Sequence, residues 1–176
     1  MPYFYSSKLR HSQYFSCRKI LQKMASVEII PFSPDLKPHF ESINKEWVSQ
    51  YFSLEPFDLA QLENPEDSIL NKGGEIIFAQ IEDDIVGTVA LVPHGENSCE
   101  MIKMGVKPSA QGKGVGMILG ESIIQKAKEL GFSSMELYSS TKLESALRLY
   151  QKLGFKQVEV GCNPYGRCDV KMILVL

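Results

Sequence analysis

The sequence has little of the features that mark several specialised classes of protein. Its 176 residues include only four cysteines, and its net charge is −2. The cysteines are too few for a disulfide scaffold and too scattered for a zinc site, so we expect reduced thiols at Cys17, Cys99, Cys162 and Cys168. No apolar run approaches the ~20 residues that a membrane-spanning helix needs. The near-neutral charge argues against the basic face that binds phosphates. We therefore expect neither a membrane protein nor a nucleic-acid-binding protein.

The composition is that of an ordinary globular chain, except near the N-terminus. Hydrophobic residues make up 44% and charged residues 23%, and the length suits one domain with a sizeable core. Residues 1–25 contain no acidic residue but hold the basic residues Lys8, Arg10, Arg18, Lys19 and Lys23. Such a segment is typical either of an organellar transit peptide or of an upstream extension of the reading frame, with Met24 as the working start. We predict a domain at residues 26–176 and a cytoplasmic location, or an organellar one if residues 1–25 act as a transit peptide.

The first half of the predicted domain contains most of its strands. A short β-branched run closed by proline predicts a strand at Val27–Pro31. Apolar residues at helical spacing predict a helix from Asp35 to Tyr51, and a shorter helix is expected from Asp58 to Glu63. Three further strands are predicted to form an antiparallel meander, at Ile76–Ile81, Ile85–Val92 and Cys99–Val106.

The pattern changes after Val106. A glycine loop leads into a helix that ends at Gly131, and a brief strand and a second helix follow. This order implies one parallel pairing inside an otherwise antiparallel sheet. The last predicted elements are a strand at Met135–Tyr138, a helix at Leu143–Leu153, and closing strands at Lys156–Val160 and Val170–Leu176.

The glycine loop is the most informative local feature. The segment from Val106 to Gly116, V-K-P-S-A-Q-G-K-G-V-G, follows a strand and opens a helix. Glycines at every second position remove side chains from the turn, so the backbone N–H groups of the helix start can point at one anion. The helix end adds roughly half a positive charge, which suits a phosphate or pyrophosphate. Lys113 and Lys107 could supply charge to a further phosphate.

Spacing distinguishes between the phosphate-binding motifs. A Walker A loop needs G-x-x-x-x-G-K-[ST], but Gly112 and Lys113 are followed by glycine. The dinucleotide fingerprint needs glycine at its sixth position, where counting from Gly112 gives Met117. The pattern that fits is Q-x-x-G-x-G, from Gln111 to Gly116. In this loop the chain resembles the GNAT superfamily of acyl-CoA-dependent N-acetyltransferases. The alternative is a glycine-rich turn with no ligand.

A second motif supports the resemblance. Residues Ala146–Phe155, A-L-R-L-Y-Q-K-L-G-F, are similar to the last helix of the superfamily, A-x-x-L-Y-x-K-x-G-F, in the expected order. The resemblance covers about residues 26–176. It implies an α/β fold with a mixed, mostly antiparallel and curved sheet of six to seven strands and helices on both faces. It further implies that the sheet splits into a V between the fourth and fifth strands. Acetyl-CoA would bind in this cleft as co-substrate, with no metal ion required.

The family also implies which residues contact the cofactor. Backbone N–H groups near a bulge in the fourth strand would polarise the thioester carbonyl, and Gly105 is the expected bulge. Relatives often have an asparagine just before the last helix, where this chain has hydroxyl residues, and we take Ser140 as its substitute. The predicted cofactor-binding residues are Met104, Gly105, Val106, Gln111, Gly112, Lys113, Gly114, Val115, Gly116 and Ser140.

Two residues are predicted to be catalytic. Tyr150 matches the tyrosine of the last helix, which the family implies to be the proton donor to the CoA sulfur. Glu100 stands where the histone-acetylating branch has its catalytic glutamate. Strand alternation would place it on one face with Ile102, Met104 and Val106, where burial could raise its pKa and make it a base. The alternative to Glu100 is a water chain.

The acceptor is not specified by any motif. We expect a small-molecule or peptide amine, and a homodimer is a candidate assembly. Five residues fall in the family's substrate-side segments, and we interpret each as packing or surface: Trp47, Tyr51, Glu55, Tyr165 and Arg167. We interpret His39 and His94 as incidental. The rival hypotheses are a non-catalytic CoA sensor, which would need only the loop, and a different phosphoanion-binding domain.

Overall fold

The strands within the described part of the chain form one seven-stranded sheet. The structure, a computed structural model, describes residues 26–161 and 166–176, so the predictions for residues 1–25, Cys162 and Tyr165 lie outside the described residues. The strands are β1 (Val27–Pro31), β2 (Glu75–Ile81), β3 (Asp84–Pro93), β4 (Ser98–Val106), β5 (Ser134–Ser139), β6 (Lys156–Val158) and β7 (Val170–Val175). Their order across the sheet is β1-β2-β3-β4-β5-β7-β6. Every neighbouring pair is antiparallel except β4 and β5, which confirms the predicted mixed sheet.

The helices begin where the sequence provides starting signals. They are α1 (Lys37–Tyr51), α2 (Pro56–Glu63), the short α3 (Pro65–Ser68), α4 (Val115–Glu129) and α5 (Glu144–Lys152). Each of the first three has a proline at its first or second position, where a missing N–H costs nothing and the fixed φ suits a helix. A capping box of Glu55 and Asp58 reinforces the start of α2. The single turn of α3 was not predicted, because four residues are too few to show a helical period. None of the described helices has the length and hydropathy needed to cross a membrane.

Helices cover both faces of the sheet. The side chains of each strand point to these two faces in turn. On one face, Phe40 of α1 and Leu62 of α2 pack on Ile76 and Phe78 of β2. On the other face, α4 packs on the intervening β2 residues, including Ile77. Because the side chains of a strand point alternately to its two faces, one strand supplies both cores. Full burial of each such aliphatic or aromatic side chain contributes about 1.5–3 kcal/mol.

The sheet opens between its fourth and fifth strands. The parallel register runs Ser98↔Ser134, Cys99↔Met135 and Glu100↔Glu136, and then β4 and β5 separate. The two strands therefore form the arms of a V, with Glu100 and Glu136 at its apex. This confirms the split expected from the family resemblance.

A bulge interrupts β4 within the V. Thr88 pairs with Gly105 and Ala90 pairs with Ile102, so one residue of β3 lies opposite two residues of β4. Those two residues are 103 and 104, and the expectation that Gly105 forms the bulge was wrong by one residue or two.

The backbone of Lys103 is what makes the bulge. Lys103 has φ of 52°, a left-handed conformation that is uncommon for a lysine. The extra residue reverses the alternation, so Met104 and Val106 pack on the α4 side while Ile102 packs on the α1 side. The prediction that Glu100, Ile102, Met104 and Val106 share one face is therefore wrong beyond Ile102.

Candidate active site

The V-shaped opening contains a cleft with two neighbouring chambers that share part of their lining. The first, which we call the polar chamber, has an empty volume of about 670 Å³ including space open to solvent, and charged residues of β4 and α2 line it. The second, the loop chamber, has about 970 Å³ and lies against the glycine loop and α5. Both chambers are lined by Trp47, Met104, Leu143 and Tyr150, so these residues form the junction between them.

The glycine loop presents the start of α4 to the loop chamber. Gly112 and Gly114 have φ of 75° and 84°, and Gly114 is the N-cap of the helix. Both positions require the left-handed backbone that glycine adopts without strain. The Gln111 side chain fixes the loop, because its Nε2 donates a hydrogen bond to the carbonyl oxygen of Val106 at 3.1 Å. The helix start therefore faces an open chamber with no side chain in front of it, an arrangement suited to an anion.

Gly116 has a different role from the other two glycines. A Cβ built on it would lie 3.1 Å from Cδ2 of Leu149, whereas a Cβ on Gly112 or Gly114 would meet no heavy atom within 4 Å. One turn later, a Cβ on Gly120 would lie 2.4 Å from Leu153. These two glycines allow α4 and α5 to approach closely, which holds the last helix against the loop chamber.

Most of the predicted cofactor-binding residues come together in the loop chamber. Its lining includes Met104, Gly105, Val106, Gln111, Gly112, Gly114, Val115 and Gly116. Lys113 is exposed beside the loop rather than in the lining. Lys107 points elsewhere, since its Nζ lies 2.8 Å from Oδ1 of Asp84.

Ser140, predicted to take the place of the family's asparagine, lies in the polar chamber and not in the loop chamber. Ser140 is buried and lines the polar chamber. Its Oγ accepts a hydrogen bond from the N–H of Lys142 at 3.4 Å, and the Asp169 carboxylate accepts hydrogen bonds from the backbone and hydroxyl of Thr141. Ser140 therefore belongs to the turn that leads into α5.

Tyr150 lies at the junction of the chambers. The side chain is partly buried, and its ring packs edge-on against Phe155 with centroids 6.1 Å apart. Burial, with a smaller contribution from Cys168, raises the pKa of the Tyr150 phenol to about 12. The phenol is consequently protonated at neutral pH and can donate a hydrogen bond to a group at the junction.

Glu100 lines the polar chamber near the apex of the V. It is buried, with 7% of its surface exposed. Its register partner on the parallel strand is Glu136, so two carboxylates lie side by side. His94, which follows β3, completes a group of three residues whose ligand atoms lie within 4.8 Å of one another.

A buried ion-pair network in the polar chamber was not predicted from the sequence. Asp58 of α2 is 1% exposed and accepts hydrogen bonds from both terminal nitrogens of Arg167, at 2.5 and 2.9 Å, and from Nζ of Lys103 at 2.7 Å. Burial alone would raise the pKa of Asp58, but the hydrogen bonds from Arg167 and Lys103 lower it well below its usual range. Burial lowers the pKa of Lys103, and Asp58 opposes that shift.

The network joins two distant segments of the chain, at Asp58 and Arg167, to the bulge. The partners of Asp58 lie 45 and 109 positions away in the chain, so no local sequence pattern could predict them. The only local sign was the acidic residue at the third position of α2, which was interpretable as a capping box alone. Arg167, interpreted from sequence as packing or surface, lines the chamber and lies 5.7 Å from the ring centroid of Phe52.

The sequence and the fold agree on one family. The model described as the acetyltransferase (GNAT) family matches residues 40–155. The chain belongs to this family. Membership accounts for the opened sheet, the loop at the start of α4 and the position of α5 against it.

Individual GNAT proteins are similar to the chain at moderate identity. It is 32% identical over 99 residues to the uncharacterised N-acetyltransferase YjgM of Escherichia coli K12, an alignment that covers 53% of this chain and 59% of that protein. Across the first three curated relatives, the aligned region covers 46% to 68% of the relative's own length.

Solved GNAT structures share the fold. An acetyltransferase of the GNAT family from Staphylococcus aureus Mu50 superposes with a TM-score of 0.78 at 23% identity, covering 85% of this chain and 99% of that one. The structure of YncA from Salmonella typhimurium, with its cofactor acetyl-CoA, superposes with a TM-score of 0.69 at 18% identity, covering 85% and 94%.

Proposed function

We propose that the protein is an N-acetyltransferase that moves the acetyl group of acetyl-CoA to a primary amine. In this proposal the loop chamber binds CoA and the polar chamber binds the amine. The single observation that supports it best is that Tyr150 lines both chambers. An anion site at the start of α4 opens on one side of that residue and a buried carboxylate, Glu100, lies on the other.

The loop chamber suits the pyrophosphate and pantetheine of CoA. The backbone N–H groups of residues 112–116 and the positive end of α4 would hold the pyrophosphate. The walls beyond the loop are apolar and come from Met104, Val106, Ala146 and Leu149, which suits an uncharged pantetheine arm. The structural relative YncA is described with acetyl-CoA as its cofactor, which agrees with this assignment.

The bulge in β4 would polarise the thioester. A bulge leaves backbone groups outside the strand ladder, and here it lies between the two chambers at Lys103 and Met104. An N–H group of residues 103–106 aimed at the thioester oxygen would stabilise the negative charge that develops as the amine attacks.

Tyr150 would stabilise the departing thiolate. A free thiol has a pKa near ~8.5, so complete proton transfer from a phenol whose pKa is about 12 would cost roughly 5 kcal/mol. A hydrogen bond from the intact phenol avoids that cost and still stabilises the leaving group. We therefore assign Tyr150 as a hydrogen-bond donor to the CoA sulfur.

Glu100 would accept the proton of the attacking amine. An alkylammonium of pKa ~10.4 is neutral in only about one molecule in 2,500 at pH 7, a deficit near ~4.6 kcal/mol. A carboxylate in the chamber that holds the amine can take the proton as the N–C bond forms. Its position on β4 places it in the polar chamber with Met101 and Ile102, away from the loop.

The proposal is tested first by ligand specificity and then by turnover. Acetyl-CoA and CoA should raise the melting temperature with the logarithm of their concentration above Kd, and NAD and ATP should not do so comparably. A thiol-release screen with acetyl-CoA against amines, polyamines, amino acids and peptides should then identify acceptors. Equal stabilisation by all the nucleotides would contradict the CoA assignment. Binding of CoA with no release for any acceptor would favour the sensor instead.

A further inference from the structure

Three metal-ligating side chains converge at the apex of the V, outside the proposed cofactor site. His94, Glu100 and Glu136, which we call the apex cluster, come from the end of β3, from β4 and from β5. Nε2 of His94 lies 3.4 Å from Oε1 of Glu136, and the ligand atoms of all three residues lie within 4.8 Å of one another. The parallel register Glu100↔Glu136 fixes the two carboxylates as neighbours, and His94 reaches them from the loop that follows β3.

One oxygen of the cluster is buried without a hydrogen bond. The Glu136 side chain is only 10% exposed, and its Oε2 lies 2.8 Å from Nζ of Lys171. Its Oε1 is buried and, among the described residues, accepts no hydrogen bond. Leaving a buried acceptor unsatisfied costs about 1–3 kcal/mol, and more for a charged group. This oxygen is the one aimed at His94.

We propose that the apex cluster binds a divalent transition-metal ion such as Zn²⁺. One imidazole nitrogen and two carboxylate oxygens are a donor set that Zn²⁺ accepts, with bonds of about 2.0–2.2 Å and water in the remaining position. Tetrahedral ligands at those bond lengths lie about 3.4 Å apart. The His94–Glu136 pair already has that separation, at 3.4 Å. A side-chain rotation of Glu100 supplies the third bond.

The charges of the cluster favour a cation. The two carboxylates are neighbours at the apex, and Nζ of Lys171 lies 2.8 Å from Oε2 of Glu136. The His94 side chain is 57% exposed, so a metal ion can reach the cluster from solvent. A divalent ion would satisfy the buried Oε1 and relieve the repulsion between the carboxylates.

Binding at the apex would inhibit acetyl transfer. This consequence rests on the proposed function, in which Glu100 accepts the proton of the amine. A metal ion that coordinates the Glu100 carboxylate withdraws electron density from it and lowers its affinity for that proton. The ion is therefore an inhibitor of the reaction and not its cofactor.

The binding test is independent of activity. Metal-free protein is titrated with ZnCl₂ by isothermal titration calorimetry, for the wild type, His94→Ala and the control His39→Ala, which removes a histidine of α1 far from the cluster in sequence. We expect His94→Ala to weaken the Zn²⁺ affinity of the cluster by at least about tenfold. Removal of a residue that only hydrogen-bonds to a metal ligand already lowers metal affinity by about that factor. His39→Ala should bind as the wild type does. Equal Zn²⁺ binding by wild type and His94→Ala, or no binding by either, would overturn the site.

An activity measurement separates the two proposals. With an acceptor in hand, Zn²⁺ should inhibit the wild type and inhibit His94→Ala at least about tenfold less effectively, in line with the lost affinity. Basal activity of His94→Ala should match that of the wild type, since this side chain lies outside both chambers. Zn²⁺ binding that depends on His94 but leaves turnover unchanged would keep the site and reject the inhibition. No turnover at all, with binding intact, would reject the proposed function and keep the site.

Discussion

Replacing Asp58 by asparagine should be among the most destabilising single changes in the polar chamber. The carboxylate is 1% exposed and holds two cations, Lys103 at 2.7 Å and Arg167 at 2.5 and 2.9 Å. The side chains of both cations are themselves largely buried, at 8% and 16% exposed. The amide removes the anion that both cations share, and Arg167 keeps its longer contact with Glu55, at 3.7 Å.

The magnitude follows from the uncompensated charges. Removing one partner of a buried ion pair typically costs about 3–5 kcal/mol, which lowers the melting temperature of a chain of this size by roughly 6–20 °C. Lys103→Met should cost less, because it removes a desolvated charge and leaves the Asp58–Arg167 pair intact. Glu144→Gln is the matched surface control. Its pair with Arg148 is exposed at 78% and 64%, so the loss should be near ~0–0.5 kcal/mol.

Urea denaturation of the four proteins at pH 7 and at lower pH measures these differences. The folded pKa of Asp58 is lowered, so its contribution is present above the ordinary carboxyl pKa of ~3.9 and is lost as pH falls further, through the folded pKa. The gap between wild type and Asp58→Asn should therefore hold from pH 7 to about 5 and shrink only below about 4. A cost of Asp58→Asn no larger than that of Glu144→Gln would refute the account of this network.

Three further predictions concern the cleft. Gly114→Asp should abolish CoA binding measured by calorimetry, because its carboxylate repels the pyrophosphate. The control Gly114→Asn should retain more CoA affinity, since asparagine tolerates the left-handed backbone and carries no charge. Equal CoA affinities of the two variants would argue against an anion at this loop. Gly116→Val should lower the free energy of unfolding in urea by about 1–3 kcal/mol, since its Cβ would lie 3.1 Å from Leu149. An unchanged urea midpoint would show that α5 can shift away at no cost. Glu100→Gln should lower the rate most at low pH, and the loss should shrink as pH approaches the amine pKa near ~10.4; a loss that is constant with pH would remove it as the base.

The sequence was sufficient to predict the elements that depend on local pattern. The alternation of apolar residues gave β2 to β4, and the positive-φ glycines Gly112 and Gly114 stand where the loop needs them. The split between β4 and β5 came from the family resemblance rather than from any residue near Glu100.

Features that depend on long-range packing were not predictable. The bulge lies at Lys103 rather than at the glycine two positions later, and the Lys103 side chain pairs with Asp58, which is 45 positions away in the chain. The expectation of a bulge at Gly105 came from the family resemblance, and a Cβ at that position would meet Cγ2 of Ile43 in α1 at 3.0 Å. The close approach of α1 therefore explains that glycine.

The most direct test of the central claim is the single-turnover rate of thiol release from acetyl-CoA, with an acceptor amine, for wild type and Tyr150→Phe. The account places the Tyr150 hydroxyl at the junction of the chambers as the donor to the leaving sulfur. It predicts amine-dependent release by the wild type and a loss of about 10²-fold or more in the variant, with little change in acetyl-CoA affinity. An unchanged single-turnover rate in Tyr150→Phe would contradict it and leave Tyr150 as a packing residue against Phe155.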